Sequence, residues 1–109
     1  MAAIGLEQLK RFPEMAKKRQ ILASKYSDII RDIPRIHPVE SDYVDVVPHI
    51  YVVRIDDLND RRQVQEKMLN DSIQIGYHYQ PNHYLTFYHD DKLEPLPVTD
   101  SIFPELVTL

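Results

Sequence analysis

The sequence predicts an α/β domain, more closely an α+β two-layer arrangement in which a small sheet is covered by a long N-terminal helix and a shorter one. Three observations predict it: apolar residues in the first third recur at helical spacing, two runs beyond residue 48 have the period and composition of strands, and the segment between them is helical again. A length of 109 residues, with 43% hydrophobic and 28% charged residues, suits a single domain with one core over residues 1-109.

Taken in order, Ala2, Leu6 and Leu9 begin a helix that is expected to break around Phe12-Pro13, because an interior proline lacks the backbone donor and clashes with the preceding turn. Pro13 suits the first turn of a second piece. In that piece Met15, Ile21, Leu22, Tyr26, Ile29 and Ile30 keep to one side, and Lys17, Lys18, Arg19, Lys25 and Asp28 to the other. Pro34 ends it. The stretch RIHPVESDYVDVVP (35–48) has two prolines and no period and reads as a crossing loop. HIYVVRI (49–55) reads as a strand with Tyr51, Val53 and Ile55 on one face. Asn59 or Asp60 caps a short helix running to Leu69, with Val64, Met68 and Leu69 turned inward. SIQIGYHY (72–79) reads as a second strand, with Ile73, Ile75, Tyr77 and Tyr79 on one face and His78 on the other. Pro81 ends that strand, and NHYLTFYHDD (82–91) reads as a short helix on which His83 and Phe87 share a face. KLEPLP is a loop, and VTDSIFPELVTL reads as a helical turn running toward a strand.

Composition narrows the chemistry. A formal charge of -4 and a pI near 5.6 argue against nucleic acid as a partner, since such binding runs on clustered Lys and Arg. No apolar run approaches the roughly 18 residues of a membrane span, and the first residues lack the form of a signal peptide, so a cytoplasmic setting is expected. Both ends are apolar and read as cut from a longer chain. The absence of cysteine removes thiolate chemistry, and two glycines leave no phosphate-binding loop. No serine sits in a nucleophile elbow, and the lysines lie in polar sequence, unlike a desolvated Schiff-base amine.

YHYQPNH (77–83) stands out, with two tyrosine rings and the two imidazoles of His78 and His83 around a single proline. Such a turn suits hydrogen bonding and stacking against a polar ligand such as a sugar. The blander alternative makes His78 a surface strand residue and His83 a helix-start residue bonded to backbone. A metal site from His78, His83 and His89 with Asp90 and Asp91 matches no zinc spacing, so no metal is expected and a metal-dependent hydrolase is disfavoured.

AAIGLEQLKRF, KKRQILASKY, PHIYVVRI and IQIGYHYQPNHYLTFY occur in an order that resembles the C-terminal part of the DegT/DnrJ/StrS family, and LPVTDSIFPELVTL is similar to the segment that follows. The resemblance spans essentially the whole chain. It implies the small C-terminal domain of a fold type I aminotransferase, a fragment lacking both the pyridoxal-phosphate-binding large domain and the last helix. It implies a parent that moves an amino group from glutamate to a nucleotide-linked keto sugar, as a homodimer. Some members are dehydratases instead. Pyridoxal phosphate would belong to the parent, with none expected on this chain alone, and no catalytic residue is assigned here. By the resemblance, His83 would bind substrate, with His78, Asn82 and Tyr88 as neighbours. Where relatives close the short helix with an arginine-glycine pair, this chain has Asp71-Ser72, so Asn70 or Asp71 is expected in a left-handed conformation. The alternative to a fragment is a stand-alone binding or interaction module derived from the same fold.

Overall fold

A computed structural model describes residues 2–39, 41–88 and 94–109. It opens with one 29-residue helix, α1 (Ala2–Ile30), not two pieces. Pro13 lies inside α1; its fixed φ fits a helix, and the cost is the missing bond to the preceding turn, which the chain accommodates without ending the helix. Residues 2–14 are exposed throughout, so α1 is anchored only by its second half. The anchoring stripe is also narrower than the hydrophobic pattern suggests. Ala16, Ala23 and Ile30 are buried, at seven-residue spacing, while Ile21, Leu22 and Ile29 remain exposed. Small alanine side chains let the helix lie close to what it covers.

Three strands follow, β1 (Ile36–Pro38), β2 (Val52–Ile55) and β3 (Leu106–Thr108), in the sheet order β1-β2-β3 with both pairings antiparallel. β1 falls inside the segment expected to be a loop. It forms because Ile36, His37 and Pro38 lie opposite Ile55, Arg54 and Val53, and Pro38 sits on an edge strand, where a missing donor costs little. The tail behaves as expected: α3 (Pro97–Ile102) starts on a proline at its first turn, passes through a 3-10 turn at Phe103–Glu105, and delivers β3. The core gathers Ala23 and Ile30 of α1, Tyr51, Val53 and Val107 of the sheet region, and Ile75. Val53 and Val107 are direct register partners and the most completely buried side chains.

The short helix is α2 (Arg61–Asn70), and Asp60 caps it: its carboxylate accepts from the Gln63 amide at 3.1 Å. Val64 and Met68 pack on the core, but Leu69 is turned out. The helix ends on Ser72 in the left-handed conformation (φ 63°), not on Asn70 or Asp71. The Ser72 amide donates to the Leu69 carbonyl and the Ile73 amide to that of Met68, both at 2.9 Å, a paired closure that needs the left-handed residue one position later.

The expected strand over 72–79 is reduced to one bridge, Gly76 against Thr108. Only Ile75 of its apolar set is buried; Ile73 and Tyr79 are exposed. The expected helix over 82–91 is two 3-10 turns, Asn82–Tyr84 and Thr86–Tyr88, with residues 89–91 outside the described part. His83 and Phe87 therefore do not share a face: the His83 side chain keeps 20% of its surface exposed, whereas Phe87 is 88% exposed.

Candidate functional site

The bend that carries His78 and His83 is fixed at both ends before any function is asked of it. At its start, Gly76 exchanges two backbone hydrogen bonds with Thr108, at 2.9 and 2.8 Å, which pins it to β3. A β-carbon on Gly76 would come within 2.7 Å of Cε1 of the His78 ring, so the small residue leaves room for that imidazole. Tyr77 then turns toward α2, its hydroxyl lying 2.9 Å from both the Arg61 carbonyl and Oε1 of Gln65, either of which can accept its one hydrogen. The Arg61 guanidinium lies between two rings, 4.7 Å from the centroid of Tyr77 and 4.3 Å from that of Phe103, and donates to the Phe103 carbonyl at 2.9 Å. A planar cation is suited to such a position, since it stacks on both faces and still offers in-plane donors. One side chain thus ties α2, the bend and the turn before β3.

After Pro81 the two tight turns close on their own backbone, Tyr84 to Pro81 and Leu85 to Asn82 at 3.0 Å, then Tyr88 to Leu85 at 2.9 Å. They bring His83 and Tyr84 against α3. There the Asp100 Oδ1 lies 2.8 Å from His83 Nε2 and accepts from the Tyr84 hydroxyl at 2.9 Å. The His83 and Tyr84 rings meet edge to face at 4.5 Å, and Tyr84 meets Phe103 the same way at 5.7 Å. His83, Asp100, Tyr84, Phe103, Arg61 and Tyr77 therefore form one connected cluster. Hydrogen bonds from His83 and then Tyr84 hold the Asp100 carboxyl below its ordinary range, and the same carboxylate pushes the Tyr84 hydroxyl up.

The residues singled out in the sequence do not all join this cluster. His83 stands at one end of it, bonded to a carboxylate rather than to backbone. His78 is exposed and faces Tyr79 edge-on at 5.1 Å. Asn82 is exposed and supplies the carbonyl that closes the first turn, and Tyr88, 52% exposed, packs edge-on against Phe87 at 5.0 Å. Neither His78 nor His83 is sealed in the interior. The metal group disfavoured by its spacing includes His89, Asp90 and Asp91, which lie outside the described residues; among the described residues, no three His, Asp or Glu side chains gather as metal ligands would. Asp100, Tyr84 and Arg61 were not legible as site residues. Their one signal is positional: Asp100 follows a helix-starting proline and Arg61 follows a helix cap.

A second polar group gathers around Asp56, just after β2. Asp56 accepts from Arg54 at 2.6 Å and lies 2.8 Å from His37 Nε2, and Arg54 Nε is 3.5 Å from Glu105. His37 and Arg54 are register partners across β1 and β2, so this group ties the strand ends together. The His37 and Arg54 bonds lower the Asp56 carboxyl. Between α1 and β1 runs an open cleft of about 770 Å³, lined by Ser27, Arg31, His37 and Tyr43 among others. The Ser27 hydroxyl there is already bonded to Tyr51 at 2.8 Å, and Arg31 is paired with Asp28 at 3.5 Å. No helix among the described residues is long and apolar enough to cross a membrane.

Comparison with known proteins matches residues 1–109 to the model of the DegT/DnrJ/EryC1/StrS aminotransferase family. The chain is 30% identical over 101 residues to a dTDP-4-dehydro-2,3,6-trideoxy-D-glucose 4-aminotransferase of Saccharopolyspora spinosa, covering 83% of this chain and 24% of that protein. It is 34% identical over 92 residues to the spore coat polysaccharide biosynthesis protein SpsC of Bacillus subtilis (strain 168), covering 80% and 24%. Among solved structures it superposes on AtS13 of Actinomadura melliaura with a TM-score of 0.84 at 25% identity, covering 99% of this chain and 28% of that one. Spr1654 of Streptococcus pneumoniae in its PLP form gives 0.80 at 26% identity, covering 99% and 29%. The chain spans about a quarter of the length of the curated relatives it matches.

Proposed function

Because the chain belongs to the DegT/DnrJ/EryC1/StrS aminotransferase family, we propose that it is the C-terminal, substrate-side part of a pyridoxal-phosphate-dependent aminotransferase. That parent moves an amino group from glutamate to a nucleotide-linked keto sugar, and the homodimer implied by the resemblance is part of the same proposal. The observation that carries the reading is the His83 cluster. It holds an imidazole at the edge of a rigid bend without burying it, which is how a loop on a firm scaffold offers a polar contact to a ligand. In this reading His83 contacts the sugar, with His78, Asn82 and Tyr88 as its neighbouring contacts.

The described residues do not fit the cofactor's attachment. A Schiff-base lysine needs a desolvated amine. Lys10, Lys17, Lys18, Lys25 and Lys67 are all exposed; Lys10 pairs with Glu7, and Lys18 with Glu14 at 2.6 Å. Attachment of pyridoxal phosphate is therefore assigned to the rest of the parent, and no step through it falls to the described residues. The test is to incubate the chain with pyridoxal phosphate, reduce with borohydride and weigh the product. The expected result is no stoichiometric adduct on any single lysine; one adduct at one lysine overturns the assignment.

A further inference from the structure

We propose that Asp100 is a positioning residue that locks His83 in its Nε2–H tautomer, so that the ring meets a ligand with Nδ1 as a hydrogen-bond acceptor and reads a sugar hydroxyl rather than the diphosphate. This deepens the reading of His83 as a substrate contact and rests on it. An ionised carboxylate can only accept. With Nε2 at 2.8 Å from Asp100 Oδ1, the proton of that bond must sit on Nε2. The same oxygen accepts from Tyr84 at 2.9 Å, so the carboxylate is held from a second direction and cannot swing away from the ring. Tyr84 is itself edge-on to Phe103, and Phe103 carries Arg61, so the holder is braced from α2 and from the turn before β3. In the neutral imidazole the lone pair is then left on Nδ1. A hydroxyl can donate to it, whereas a diphosphate oxygen, which only accepts at neutral pH, has nothing to give.

If the bond were merely a staple between the bend and α3, the ring's protonation pattern would not matter. The experiment therefore reads that pattern directly, by long-range proton–nitrogen spectra of the imidazoles in the nitrogen-15-labelled chain at a pH where they are neutral. The expected result is a single Nε2–H form at His83. Asp100→Asn, which keeps the shape but offers an NH2 group able to bond a lone pair on Nε2, loses that single form; Asp100→Glu restores it. Tyr84→Phe, which removes a brace but not the carboxylate, leaves it in place. A tautomer mixture in the unmodified chain, or no change in Asp100→Asn, overturns the positioning role.

The probes are dTDP-glucose and dTDP. The Nδ1 resonance is expected to shift with dTDP-glucose and not with dTDP at equal concentration. Equal shifts with both overturn the hydroxyl reading. An intact Nε2–H form that is silent to both contradicts the reading of His83 as a sugar contact, and removes the ligand half of this proposal with it.

Discussion

Asp100 and Asp56 each sit with a carboxyl held below its ordinary range, Asp100 by His83 and Tyr84, Asp56 by His37 and Arg54. A depressed folded-state value favours the folded chain above the unfolded carboxylate range, and that contribution is lost as pH falls through the folded value. Urea midpoints are therefore expected to drop as the pH is lowered from about 5 to about 2. Asp100→Asn is expected to flatten that acid limb; an unchanged limb means the His83 bond contributes nothing to folding. Ser72 makes a simpler prediction. Its left-handed backbone is unfavourable for a residue with a β-carbon, so Ser72→Gly is expected to raise stability by about 0.5–1 kcal/mol, read as a higher urea midpoint with unchanged slope. At this scale the sequence was only half legible. The imidazole-bearing bend stood out by composition, but the partner of His83 lies 17 residues on, across segments with no shared period, and nothing local links the two. The left-handed residue that closes the short helix is Ser72, not the expected Asn70 or Asp71, because the choice depends on which amides reach the Leu69 and Met68 carbonyls rather than on any local residue preference.

Elements with strong local signals were legible, and elements decided by distant pairing were not. α2 shows both its cap and its Val64–Met68 spacing in the sequence. β1 is three residues including a proline, and exists because β2 lies beside it. Residues 72–79 alternate like a strand, but only Gly76 pairs, and the exposed Ile73 and Tyr79 gain nothing from the alternation. The first half of α1 is the clearest element-scale test. It has helical sequence but no buried residue before Ala16, and short unsupported helices are marginal in water. By hydrogen exchange, amides of residues 6–12 are expected to exchange well before those of residues 20–30. Pro13→Ala, relieving a cost of roughly 3 kcal/mol in a helix interior, is expected to slow exchange in residues 6–12 while leaving the core amides unmoved. Equal protection along α1 would mean that its first half is stabilised by something other than its own backbone bonds.

For the whole molecule, the radius of gyration is 17.2 Å, against about 13 Å for a compact domain of this length. The excess follows from α1 reaching beyond the core that Ala23, Ile30, Val53 and Val107 form, with Ile4, Leu6, Leu9 and Phe12 exposed along it. The two-layer class was legible in the sequence because it depends on element types and periods, which are local. The site was not, because it is assembled from α2, the bend, α3 and the turn before β3, four places that meet only in the fold. At this scale we propose that the bend at 77–88, and not the cleft between α1 and β1, is the face presented to a nucleotide sugar. A map of backbone amide shifts in the labelled chain on addition of dTDP-glucose decides between the two faces. The shifts are expected to centre on residues 77–88 and Asp100 and to leave Ser27, Arg31, His37 and Tyr43 unmoved. Shifts centred on those four residues, or no shifts at all, would contradict the proposal.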